Sequence, residues 1–302
     1  MTWLLFAFSG PVLWAISTHL DKYLVERYFK QSSVAVLLIF TAFAGLALLP
    51  IIWLYQPTVI DLEARSMLLM VLSGILYMGA MYFYLQALQS EEASVIAPFY
   101  QAGPLFGYAL GYLVLGETLT PHQMVGGALI IGGTLLVSVR SGRNRSRFRG
   151  RTAVLMLICA FALALSSLIF KIFAVRDQFW PTTFWMFVGE AIFGAALLAI
   201  GPYRRQFVGL LHSNATALLM VNGANELINI GGSLGNRYAL VLAPLSLVQA
   251  IGSTTTLFVF IFGIALSLLF PSVGRESLSG RELLQKGSAA VLVALGVALV
   301  SR

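Results

Sequence analysis

Apolar stretches close to 20 residues long fill the chain, separated by short polar breaks. Read as helices, they fall at about 2–20, 33–54, 67–88, 94–115, 121–138, 152–174, 181–201, 215–236, 244–270 and 283–300. A bilayer core of about 30 Å takes about 20 helical residues to cross, so each stretch is a candidate span. The connections are too short to hold a folded domain. The pattern therefore predicts an all-α polytopic membrane protein of ten transmembrane helices. The stretch at Met1–Leu20 has no basic residues ahead of it and no convincing cleavage site, and reads as a retained span rather than a signal peptide.

The second half echoes the first. Lys22 and Lys171 lie near the ends of the first span of each half, and Gly45 and Gly194 fall in the second spans, both pairs 149 residues apart. Ala97-Pro98 and Ala243-Pro244 open the fourth spans, and Gln101-Ala102 and Gln249-Ala250 follow. Glu117-Thr-Leu-Thr120 matches Glu276-Ser-Leu-Ser279 before the fifth. This gives three segments: a repeat over 1–140, an arginine-rich linker over 141–151, and a second repeat over 152–302. Five is odd, so if every span crosses, the copies are inverted. Inverted repeats build secondary transporters, with the substrate site where they meet.

Gly116-Glu117-Thr-Leu-Thr-Pro-His-Gln123, followed by Gly127 and Gly133 and preceded by the Ala97-Pro98 helix, resembles the end of an EamA domain. EamA proteins belong to the drug/metabolite transporter superfamily. The resemblance covers the chain as two domains, although Arg275 stands where a glycine precedes the acidic residue in the first half. It implies ten helices, a central cavity lined by the first, third and fourth helices of each half, and export or exchange of small metabolites. It also implies a peripheral second helix in each half and cytoplasmic termini.

Composition agrees with the pattern: 59% of residues are hydrophobic and 10% charged, against about 25% charged in soluble domains. The net charge of +7 does not indicate nucleic acid. Six of the arginines (Arg140, Arg143, Arg145, Arg147, Arg149 and Arg151) crowd one short connection and read as a topology signal. Counted by side, 14 Lys and Arg residues fall on the linker's face and 5 (Arg65, Lys171, Arg176, Arg237 and Arg302) on the other. The positive-inside rule puts the linker in the cytoplasm of a cell (inner) membrane, with both chain ends outside. Cys159 is the only cysteine, which excludes an internal disulfide and a cysteine-rich metal site.

The sharpest polar constellation is on the eighth span: Asn222, Asn225, Glu226 and Asn229, with Ser233 and Asn236 beyond. Positions i, i+3, i+4 and i+7 share one helical face. A carboxylate at mid-depth costs about 2.5–3.5 kcal/mol on insertion scales, so the stripe must face protein or a wet cavity. Helix–helix hydrogen bonding is the plainer reading; a solute-lining stripe is preferred because so many large polar groups exceed what interhelical contact needs. Glu226 is the leading proton-coupling candidate, with Asp21 and Glu190 behind it. Lys171 either snorkels to the interface or meets an anionic group or pairs with Asp21 and Glu226; Lys22 offers the same choice. Trp14, Thr18 and Asp21 follow helical spacing, as do Tyr77 with Tyr84, Gln101 with Tyr108 and Tyr112, and Gln249 with Ser253 and Thr256. Together they complete the proposed cavity lining. Gly103, Gly107 and Gly111 form a small-residue ridge suited to close helix packing. The glycine-rich fifth and tenth spans suit pairing into a homodimer.

No phosphate-binding loop, nucleophile elbow or zinc-protease motif is present, and the three histidines (His19, His122 and His212) have no acidic partners at ligand spacing. The reading is of a non-enzymatic secondary transporter without metal or cofactor. Its substrates would be amino acids or amphipathic amines moved by alternating access, with proton coupling as an option. A flippase or translocator for a lipid carrier or nucleotide sugar, and a non-transporting scaffold, are the alternatives. A flippase would show a lateral opening towards lipid.

Overall fold

The computed structural model describes residues 2–27, 33–90, 99, 102–138, 150–176, 178–269 and 280–301. Regular structure among them is helical throughout. The helices are α1 (Thr2–Arg27), α2 (Val34–Ala44), α3 (Leu49–Tyr55), α4 (Ala64–Ser90), α5 (Ala102–Leu110) and α6 (Pro121–Ser138) in the first half. In the second they are α7 (Gly150–Arg176), α8 (Phe179–Ala199), α9 (Gly201–Leu242), α10 (Leu245–Gly252), α11 (Thr255–Leu269) and α12 (Gly280–Val300). Among the described residues six helical stretches are long and apolar enough to cross a bilayer, and 102–115 and 287–300 are shorter apolar helices. The chain is a multi-pass membrane protein.

Local chemistry sets the helix ends. Ser33 Oγ accepts from the Ala35 N–H at 3.3 Å, capping α2. Thr120 and Gln123 form a reciprocal capping box at the start of α6, with bonds of 3.0 and 3.3 Å. A π-helical turn, Gly111–Leu115, follows α5 and ends at Gly116, whose φ of 65° a side chain would strain. The Gly-Glu-Thr-Leu-Thr motif is thus a left-handed stop followed by a helix start.

Spans and helices do not match one to one. The second predicted span is α2 and α3, joined by the tight turn Gly45–Leu48, and the ninth is α10 and α11, broken at Ser253–Thr254. The eighth, expected at 215–236, is part of a continuous 42-residue helix. At 1.5 Å per residue α9 runs about 63 Å, about twice the hydrocarbon thickness. Its early residues Phe207, Leu210 and Leu211 pack over Leu24, Val36 and Phe40. After Pro202 this segment contains only Gly209 as a weak breaker, so the helix is not interrupted where its apolar run begins. Residues 139–149, most of the arginine-rich linker, lie outside the described residues.

α1 lies along α9 and against α11; α7 lies along α4 and against α5. The α4–α8 crossing is very close, since a Cβ at Gly189 would collide with the Val71 carbonyl and one at Gly74 with the Met186 carbonyl. α6 and α12 pack on each other within the chain: a Cβ at Gly126 would lie 2.7 Å from Gly296 O, and one at Gly296 2.6 Å from Gly126 O. Gly126, Gly133 and Gly296 of the fifth and tenth predicted spans thus pack against the facing helix within the chain.

Candidate functional site

The polar stripe of α9 turns inwards. Asn222, Asn225 and Glu226 are buried, while Leu227 on the opposite face is 69% exposed. Asn225 Nδ2 donates to Asp21 Oδ1 on α1 at 2.7 Å. Thr41 Oγ1 on α2 donates to Glu226 Oε1 at 2.8 Å, and Asn229 adds a side-chain hydrogen bond to the same carboxylate. Asn222 Oδ1 and Asn225 Oδ1 are buried without a hydrogen-bond partner among the described residues. Asp21 lies within electrostatic reach of Glu226. Two carboxylates, from α1 and α9, thus share one enclosed region with amide and hydroxyl groups.

A second cluster adjoins it. Glu190 Oε1 on α8 accepts from Arg237 Nη2 on α9 at 2.5 Å. The guanidinium lies over the Phe187 ring, 4.7 Å from its centroid. Tyr77 hydrogen-bonds Ser233 and is within electrostatic reach of Glu190, Arg237 and Glu226, which links the clusters. The peripheral second helix implied by the resemblance is not what is seen for α8. It is packed between α4, α2 and α9, and Glu190 is 4% exposed. The cause is the glycine crossing with α4, which draws α8 inwards.

Lys171 does not snorkel. Its Nζ meets Glu117 Oε1 at 2.5 Å and donates to the Ala243 carbonyl at 2.5 Å. Asp21 and Glu226, proposed as its partners, bond to Asn225 and Thr41 instead. Trp14 lies against Gly10 and Gly232, and Thr18 is exposed with its hydroxyl returned to the Trp14 carbonyl at 2.8 Å. Tyr84 packs with Ala87, Met156 and Phe99. Tyr108 is exposed and stacks on Tyr112, on a different face of α5 from the glycine ridge. Gly103 and Gly107 of that ridge face Gln249, whose Oε1 would lie 3.1 Å from a Cβ at Gly107 and whose Nε2 is buried without a partner among the described residues. Ser253 Oγ donates to Ala250 O at 2.6 Å, at the α10–α11 break. Gln101 lies outside the described residues.

Three residues entered the site without being singled out from sequence. Arg237 was counted as a flanking charge, yet it stands eleven residues after Glu226, three helical turns along the same face, and the stripe's spacing includes it. In the sequence Glu117 stands only as part of a motif. Thr41 is a hydroxyl in an apolar run, for which the sequence carried no distinguishing signal.

Comparison with known proteins adds to this picture. The sequence model described as the EamA-like transporter family matches residues 1–139. An uncharacterized protein of Methanocaldococcus jannaschii is 35% identical over 96 residues, covering 32% of this chain and 69% of that protein. A solved crystal structure superposes with a TM-score of 0.65 at 17% identity, covering 99% of this chain and 96% of the other. At that identity the likeness speaks for the fold alone.

Proposed function

The chain belongs to the EamA-like transporter family, whose members are membrane transporters of small solutes, and from this premise we propose a secondary transporter working by alternating access between two inverted five-helix halves. Amino acids or amphipathic amines are its substrates, and a proton is exchanged at Glu226 and Asp21. The observation that carries the reading is the enclosed cluster in which Asp21 and Thr41 of the first half meet Asn225 and Glu226 of the second.

Exchange of the halves supports a repeated arrangement, and an odd number of spans in each half would invert it. α1 of the first half lies on α9 and α11 of the second, as α7 of the second lies on α4 and α5 of the first. Gly45, in the turn after α2, approaches the Phe187 ring on α8, and Gly194 on α8 approaches Ala42 on α2 at 2.6 Å from an ideal Cβ. An antiparallel pair of this kind encloses its solute site at the interface between repeats.

One feature favours the flippase alternative. A cavity of about 410 Å³ between α4, α7 and α8 is lined by Ile75, Leu76, Phe83, Phe161, Leu165 and Phe193. Apolar throughout, it suits an acyl chain but offers nothing to a head group, so the transporter reading is preferred. Counterflow of radiolabelled amino acids and amines in liposomes at two pH values tests it, with lipid scrambling measured in the same vesicles. Pure scrambling without solute flux would replace the proposal by the alternative.

A further inference from the structure

The break between α9 and α10 leaves two backbone groups without helical partners. Pro244 cannot continue α9, and Ala243 is extended at φ −143° and ψ 161°. Its carbonyl points out of the helix, while the Leu245 N–H is one of the unpaired donors that open α10. Both are satisfied from other elements. Lys171 of α7 donates to Ala243 O at 2.5 Å, and Glu117 Oε2 accepts from Leu245 N at 2.9 Å. The two side chains then bind each other at 2.5 Å, with exposures of 11% and 16%. Glu117 is presented by the left-handed Gly116, and the tight turn is closed by its own N–H on Gly111 O at 3.0 Å. Gly111 has no side chain because a Cβ would sit 2.7 Å from Glu117 Oε2.

The knot has a defined place. Lys171 stands about 30 Å along α7 from Gly150, the depth of a bilayer core, so it lies at the face opposite the linker. Glu117 precedes the fifth predicted span and Ala243–Leu245 lies between the eighth and ninth, which puts both on that face in the ten-span reading. Glu117 comes from the first half and the other partners from the second. One helical turn inwards from Leu245, Gln249 sits against Gly107 with a buried amide.

We propose that Glu117 and Lys171 form the gate that closes the solute pathway on the face opposite the linker. Its release frees both ends of the α9–α10 break at once, so that the two halves separate there. The inference rests on the alternating-access reading and adds to it the residues that shut one side.

The test uses a reporter cysteine, Gln249→Cys, in full-length protein carrying Cys159→Ser, in sealed membranes of either orientation. Labelling by a membrane-impermeant maleimide is slow from the face opposite the linker. Glu117→Gln and Lys171→Met each raise it at least about tenfold, the scale a lost charge-assisted hydrogen bond supports. The double variant labels no faster than either single one, because they break one unit. Labelling from the linker face falls in parallel. A rise on both faces, or on neither, overturns the gate. A rise on the opposite face without a fall on the linker face keeps the gate and removes alternating access.

Discussion

Glu190 and Arg237 form an ion pair at 2.5 Å, with only 5% and 6% of their side chains exposed and the guanidinium over the ring of Phe187. Each charge is tolerable there because the other is present. Arg237→Met leaves a buried carboxylate alone and lowers stability by about 3–5 kcal/mol, whereas the double change with Glu190→Leu recovers most of the loss. Unfolding of purified protein in detergent measures both. Equal losses in the single and double variants would show that the pair is not the source.

Glu226 offers a cleaner separation of role from fold. Its Oε1 accepts from Thr41, and glutamine retains that acceptor without a charge. Glu226→Gln therefore keeps the unfolding midpoint close to the parent and abolishes the pH dependence of counterflow. Flux that still responds to pH in this variant would move the coupling role to Asp21. Asp21→Asn, which keeps an acceptor for the Asn225 amide, then becomes the decisive variant.

The α4–α8 crossing predicts a contrast between two glycines. Leucine at Gly189 would be forced against the Val71 backbone, which no rotamer relieves, and costs about 1–3 kcal/mol or more through overpacking. Gly223 on the exposed face of α9 has nothing within 4 Å of an ideal Cβ. Gly223→Ala accordingly leaves stability unchanged or raises it by up to about 1 kcal/mol, as helix propensity expects. Thermal unfolding of the two variants side by side checks the pair.

Length and apolarity mark the spanning helices in the sequence, and six stretches among the described residues are long and apolar enough to cross a bilayer. They do not reveal where helices break inside a span. The Gly45–Leu48 turn and the Ser253–Thr254 interruption are set by tertiary packing and by hydroxyls returned to nearby carbonyls, such as Ser253 to Ala250. The inward face of α9 was legible, since charged and amide groups at helical spacing cannot face lipid. Their partners were not. Asp21, Thr41 and Glu117 lie 204, 185 and 128 residues from the groups they bind, and only the fold decides such pairings. The sequence leaves Lys171 open to snorkelling or pairing; the Ala243 carbonyl freed before Pro244 decides in favour of the interior.

Two of the basic residues opposite the linker are not loop charges. Lys171 and Arg237 were counted among the 5 basic residues opposite the linker, yet both are paired inside the bundle with Glu117 and Glu190. Removing them changes the balance from 14 against 5 to 14 against 3. Basic residues held in ion pairs within the bundle are not loop charges in the sense of the positive-inside rule. A cysteine placed at Ser146 is therefore protected from impermeant maleimide in intact cells, and one placed at Thr2 is labelled, both in a Cys159→Ser background. Neutralising Arg143, Arg145, Arg147 and Arg149 leaves 10 against 3, so the orientation persists without them. A protected Thr2→Cys together with a labelled Ser146→Cys would reverse the orientation, and with it the face on which Glu117 and Lys171 stand.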